Sequence, residues 1–133
     1  MRSSRSNNAA VVEELLRIGG LARSVSRVAR EDVEIGGARI RTGQHVELRL
    51  DEANHDSSRF SQPDLFCPSR GPTRHVALGA GAHACPGAAL IRMAAAVTTR
   101  GLLRRFHSFT PVEQKWRGGS GFRWPEPLCV VLE

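Results

Sequence analysis

Residues 78–87 read Leu-Gly-Ala-Gly-Ala-His-Ala-Cys-Pro-Gly, and this decapeptide decides the fold. It sets Cys85 after a glycine-rich loop (Gly79, Gly81) and just ahead of an apolar run that opens a helix. A thiolate needs such a place: backbone N–H groups turned toward the sulfur, glycines that let them close in, and a helix N-terminus behind it. A cysteine so placed is suited to stay deprotonated, either to hold a metal or to act as a nucleophile.

Working outward, Glu14-Leu15-Leu16-Arg17 puts an acid and a base three residues apart on one face of a predicted helix. Alone, that is an exposed ion pair worth a few tenths of a kcal/mol; with a distant Arg70 it can become a forked carboxylate–guanidinium cluster pinning an irregular loop. His83 lies two residues before the cysteine and His75 ten before it, and both have the default reading of satisfied loop histidines. Arg27 sits on an alternating stretch, 22–29, that reads as a strand.

Together these pieces resemble the cytochrome P450 superfamily. Gly81, Cys85 and Gly87 match its heme-ligand signature Phe-x-x-Gly-x-x-x-Cys-x-Gly, with Leu78 where the aromatic belongs. Glu14 and Arg17 match its Glu-x-x-Arg. Ala53-Asn54-His55-Asp56 with Arg59-Phe60 and Pro63-Asp64 is similar to its Ala-Asn-Arg-Asp-Pro…Phe…Pro-Asp stretch. Arg70 falls where the family's meander completes a Glu-Arg-Arg triad. The order agrees over roughly residues 11–133. The resemblance implies heme b with Cys85 as axial iron ligand. It also implies a cofactor site of Arg27, His75, Leu78, Gly79, His83, Cys85 and Gly87, in which Arg27, His75 and His83 meet the propionates.

The implied fold is α+β, the C-terminal half of the P450 fold, with two principal helices, small β-sheets, the meander and the cysteine loop. Against the family, nothing here corresponds to the long central helix with its acid/Thr pair for dioxygen activation, or to the substrate-recognition segments. The expectation is therefore a truncated or split heme-thiolate protein, with oxidative or peroxide-driven chemistry if it is catalytic and with another chain completing the distal pocket. The alternative is a heme-free scaffold, a partner subunit or a cofactor-independent catalyst, because fold does not fix function. A small-molecule substrate is compatible with the first reading, but no residue identifies it.

Composition bounds the rest. The 133 residues make one domain with a modest core, and the hydrophobic share is 41%. Residues 1–8 are polar and expected to be frayed, leaving 9–133 as the domain. Three cysteines, without a CxxC spacing, argue against a disulfide framework and fit a reducing compartment. The formal charge of +6 comes from 18 arginines and one lysine, dispersed and little interleaved with aromatics, which argues against nucleic-acid binding. No run of apolar residues is long enough to span a membrane, and no signal peptide is evident, so the expected location is cytoplasmic.

The segment pattern predicts a helix over 9–18 ended by Gly19-Gly20, and a hairpin around Gly36-Gly37 with a further turn at Thr42-Gly43. A strand or short helix follows over 45–50, then a long loop over 51–74, a main helix over 87–105, and short strands around Gly118-Gly119-Ser120-Gly121. Between Ala88 and Val97 only Arg92 is charged. A helix apolar all round is a buried helix, so a homo-oligomeric or heterologous partner is expected to cover it.

Overall fold

Helix α1 runs Ser3–Gly19 in the computed structural model, which describes residues 3–70 and 74–133, with side chains from residue 8 onward. It begins earlier than the predicted start at residue 9, while Met1 and Arg2, the first of the residues expected to be frayed, lie outside the described residues. Gly19 ends it, as the Gly-Gly pair predicts. Gly20 has a second reason to be glycine: a Cβ there would stand 3.1 Å from the Leu16 carbonyl oxygen and 3.2 Å from the Ala77 Cβ. The exit of α1 is thus pressed against the segment leading to the cysteine loop.

Among the described residues, three two-stranded antiparallel sheets follow. Strand β1 (Ser24–Val28) pairs with β4 (His45–Arg49), with Ser24 opposite Arg49 and Val28 opposite His45. Between them, β2 (Val33–Ile35) and β3 (Ala38–Ile40) form the hairpin, its two turn residues Gly36 and Gly37 at φ 58° and 80°. Positive φ at both centres is what a two-residue turn needs to match the strand twist. The C-terminal hairpin is longer than the short strands expected: β5 (Phe109–Gly118) and β6 (Arg123–Leu132) have ten residues each. Their register shifts between Pro111 and Glu113 and again between Gln114 and Trp116. Its tip is sewn to the residues leading into β1, since Arg23 N–H donates to the Gly121 carbonyl at 2.8 Å and Arg123 N–H to that of Leu21 at 2.9 Å.

The stretch read as one long loop, 51–74, holds more structure than its composition suggests. A short helix α2 (Leu50–Asn54) continues directly from β4, and a 3-10 turn spans Pro68–Arg70; Gly71, Pro72 and Thr73 lie outside the described residues. Helix α3 (Ala88–Arg105) is the predicted main helix. Its environment differs from the expectation of burial on all sides. It packs on α1, where Asn8 Nδ2 donates to the Ala96 carbonyl at 3.1 Å. Leu90, Met93 and Val97 remain 63%, 59% and 57% exposed within this chain. Among the described residues, α1 supplies cover to one side only.

The buried centre is mostly polar. Among the described residues, Val12, Phe60 and Ala77 are its buried apolar residues, beside Glu14, Arg17, Ser24 and Asn54. No helix among the described residues is long and apolar enough to cross a membrane.

Candidate functional site

The cysteine loop is shaped by its own backbone. Gly79 N–H donates to the Val76 carbonyl at 2.9 Å, turning the chain at φ 70°, and a 3-10 turn over Gly81–His83 follows. Cys85 N–H then donates to the Leu78 carbonyl at 2.8 Å, closing the loop, and Ala88 N–H donates to the Cys85 carbonyl at 3.1 Å, starting α3. The amides of Cys85 and Ala88 are thus spent on backbone carbonyls. A Cβ on Gly79 would stand 2.8 Å from the His83 carbonyl oxygen, so this position is closed to side chains by contact as well as by φ. A Cβ on Gly87 would only touch the Cys85 Sγ, at 3.7 Å.

Cys85 lines a cavity of about 670 Å³ whose wall is largely apolar: Leu16, Leu21 and Ala22 from α1 and its exit, Val25 and Leu48 from the first sheet, Val76 to Leu78 from the approach segment, Ile91 from α3, and Phe122 from the hairpin tip. Arg27, Gly79 and His83 share this wall. Among the described residues no carboxylate pairs with Arg27, whose Nη1 donates to the carbonyl of Ser26 at 2.8 Å. Five of the seven predicted cofactor residues, Arg27, Leu78, Gly79, His83 and Cys85, therefore meet at one cavity. Gly87 lies behind the sulfur.

His75 is placed elsewhere. Its side chain is 2% exposed, and Nε2 lies 3.1 Å from Glu13 Oε2. Glu13 also takes a bidentate contact from Arg92, Nε at 2.6 Å and Nη2 at 3.0 Å. Those bonds hold the Glu13 carboxyl below the usual range, with Arg92 the main cause and His75 a lesser one. Burial pushes the His75 imidazole down from its ordinary value, against the opposing pull of Glu13.

The predicted Glu14, Arg17 and Arg70 are brought together. Arg17 donates to both Glu14 oxygens at 2.9 Å, and Arg70 Nε reaches Oε1 at 3.3 Å. The Arg17 bonds lead in lowering the Glu14 carboxyl to about 2, with the Cys67 N–H and Arg70 assisting against the burial that would raise it. Arg70 also donates to the carbonyls of Ser61, Gln62 and Leu65. One guanidinium thus gathers the irregular segment around α1. Asn54, quoted from the sequence only as part of the Ala-Asn-His-Asp stretch, joins two parts: its carbonyl accepts from Arg17 Nη1 at 2.7 Å and its Oδ1 from Val76 N–H at 2.8 Å. Glu13 was missed as well. An acidic residue beside the recognised Glu14 carries no local mark of partners 62 and 79 residues away. The three cysteines are all free thiols, and among the described residues no cluster of three or more His, Cys, Asp or Glu side chains could hold a metal ion.

A soft sulfur donor, an apolar wall and two basic side chains suit a flat, mostly apolar metal macrocycle bearing carboxylates. The chain is 40% identical to the biotin biosynthesis cytochrome P450 of Bacillus subtilis (strain 168), over 92% of its own length and 31% of that protein's. It is 41% identical to nocardicin C N-oxygenase of Nocardia uniformis subsp. tsuyamanensis, over 90% and 32% respectively. Thus the chain spans about a third of the length of the curated relatives it matches. Among solved structures, P450BioI in complex with an acyl carrier protein bearing hexadec-9Z-enoic acid superposes with a TM-score of 0.89 at 38% identity, covering 98% of this chain and 35% of that one. Cytochrome P450 CREJ gives 0.90 at 32% identity, covering 98% and 34%. The family model for cytochrome P450 matches residues 8–127. With nearly its whole length matched and a mixed α+β fragment of that fold in view, the chain belongs to the cytochrome P450 family.

Proposed function

We propose that this chain is the heme-thiolate portion of a P450 fold, its C-terminal part, with Cys85 as the axial iron ligand. The observation that carries the reading is the meeting of Cys85, Arg27 and His83 at one apolar cavity. Cys85 supplies the thiolate. Arg27 and His83 supply positive or hydrogen-bonding partners for the propionates, while His75, already held by Glu13, serves as a pin instead. Leu78 would shield a bound heme less than an aromatic ring, and Gly79 would add backbone without a side chain to the same wall. A bound heme supplies redox chemistry at its iron, oxidative or peroxide-driven, on a small-molecule substrate.

The other side of the site is completed by protein surface outside these residues, whether further polypeptide, a second copy of this chain or a separate partner. Leu21, Leu48 and Phe122 on the cavity wall are 57%, 42% and 57% exposed, and the Leu90–Met93–Val97 face of α3 is bare. That same exposure is what favours a second reading, a heme-free scaffold whose cavity serves a partner. A carbon-monoxide difference spectrum of the reduced protein separates the two. The first reading expects a thiolate-type band that Cys85→Ala abolishes and that Cys67→Ala and Cys129→Ala leave in place. A colourless protein, or a band indifferent to Cys85, overturns it.

A further inference from the structure

Two stems carry the cysteine loop: the approach segment before Leu78 and the first turns of α3 after Gly87. From α1, the carboxylate of Glu13 holds both. On the approach side, His75 Nδ1 accepts from Ala77 N–H at 3.3 Å, which leaves the ring proton on Nε2 for Glu13 Oε2 at 3.1 Å. Neutral imidazole is enough for this bond. Ala77 is buried and directly precedes Leu78, whose carbonyl takes the Cys85 N–H. On the other side Arg92, five residues past Gly87, gives Glu13 a two-toothed bond at 2.6 and 3.0 Å. A fork of that kind fixes direction as well as distance.

We infer that Glu13 is a positioning residue that clamps both stems of the Cys85 loop to α1 and so sets where the sulfur stands on the cavity wall. This builds on the reading of Cys85 as the ligand, but the clamp itself is a property of the polypeptide and is tested without heme. Glu14, its neighbour, turns to the irregular segment and bonds neither stem directly. The two acids of α1 thus divide the labour.

The test is alkylation of the heme-free protein with iodoacetamide, each cysteine's rate read by mass spectrometry. Glu13→Gln keeps the size and removes the charge. It is expected to raise the Cys85 rate roughly tenfold, the loss of one charged hydrogen-bonded contact, with Cys67 and Cys129 unchanged. An unchanged Cys85 rate overturns the clamp, and so does an equal rise at Cys67, which marks general loosening. Should Glu13→Gln not fold, His75→Gln, Arg92→Gln and their double variant serve instead. If one carboxylate holds both stems, freeing either frees the loop, and the double variant labels no faster than the faster single. Multiplicative effects overturn the inference. The Cys85→Ala spectrum tests the ligand separately, so either idea can fail without the other.

Discussion

Glu14 shows how much one side chain carries here. It is 2% exposed, accepts from Arg17, Arg70 and the Cys67 amide, and has its carboxyl lowered to about 2 from an ordinary 4.5. A carboxyl lowered on folding stabilises the folded chain above its unfolded pKa and loses that contribution as pH falls through the folded one. The lowering corresponds to roughly 3 kcal/mol, present at neutral pH and withdrawn between about pH 4.5 and 2. Urea unfolding followed across that window is expected to show this slope, and Glu14→Gln to flatten it. Arg70→Ala leaves Glu14 and several carbonyls short of a donor, and is expected to destabilise by about 3 kcal/mol, a drop of roughly 10 °C in Tm. A melting point within a degree or two of the parent would show that the network is not structural. At this scale the sequence was partly legible. Glu14 and Arg17 are neighbours on a helix and announce themselves, and Arg70 followed from the family pattern. Glu13, His75 and Arg92 meet only through the tertiary fold, so His75 was read as a cofactor contact.

At the scale of elements, turns were the most readable feature, because positive φ restricts residue type. Gly36-Gly37 and Gly43 turn where the sequence places turns, with Gly43 at φ 84°. The irregular segment was less readable: α2 is only five residues long, too short for a helical period to show. The loop itself allows a graded prediction from two of its glycines. Gly79→Ala faces both φ 70° and a backbone oxygen at 2.8 Å, whereas Gly81→Ala faces φ 62° in open space. The second is expected to destabilise by about 1 kcal/mol and the first by about 3 kcal/mol, the range of local backbone strain. Equal losses in chemical denaturation would mean that the loop shifts freely and that the approach to His83 is not tight.

For the whole molecule the question is what covers its apolar faces. Each large aliphatic side chain left in water forgoes roughly 1.5–3 kcal/mol, and Leu90, Met93 and Val97 share one exposed face of α3. Association through that face is expected, visible by light scattering at micromolar concentration and reduced by Met93→Arg. A stable monomer would show that the face needs no cover. Composition hinted at this, since it supports only a modest core, but the apolar run of α3 could not reveal which side α1 takes.

Glu13 also has a history in time. Its bond to Arg92 joins residues 79 apart, and that of Glu14 to Arg70 joins residues 56 apart. The β2–β3 turn, by contrast, closes over two residues. Closing a long loop takes more chain entropy than closing a short one, and contacts distant in sequence form late. On the ribosome, α1 emerges with two acids whose distant partners have not yet been made. Arg17 is at hand for one of them, but Glu13 waits until Arg92 has left the tunnel. Pulsed hydrogen exchange during refolding is therefore expected to protect the β2–β3 amides first and the Cys85 amide last. The part of the chain with the most chemistry to do becomes itself only once Arg92 has been made and has found Glu13.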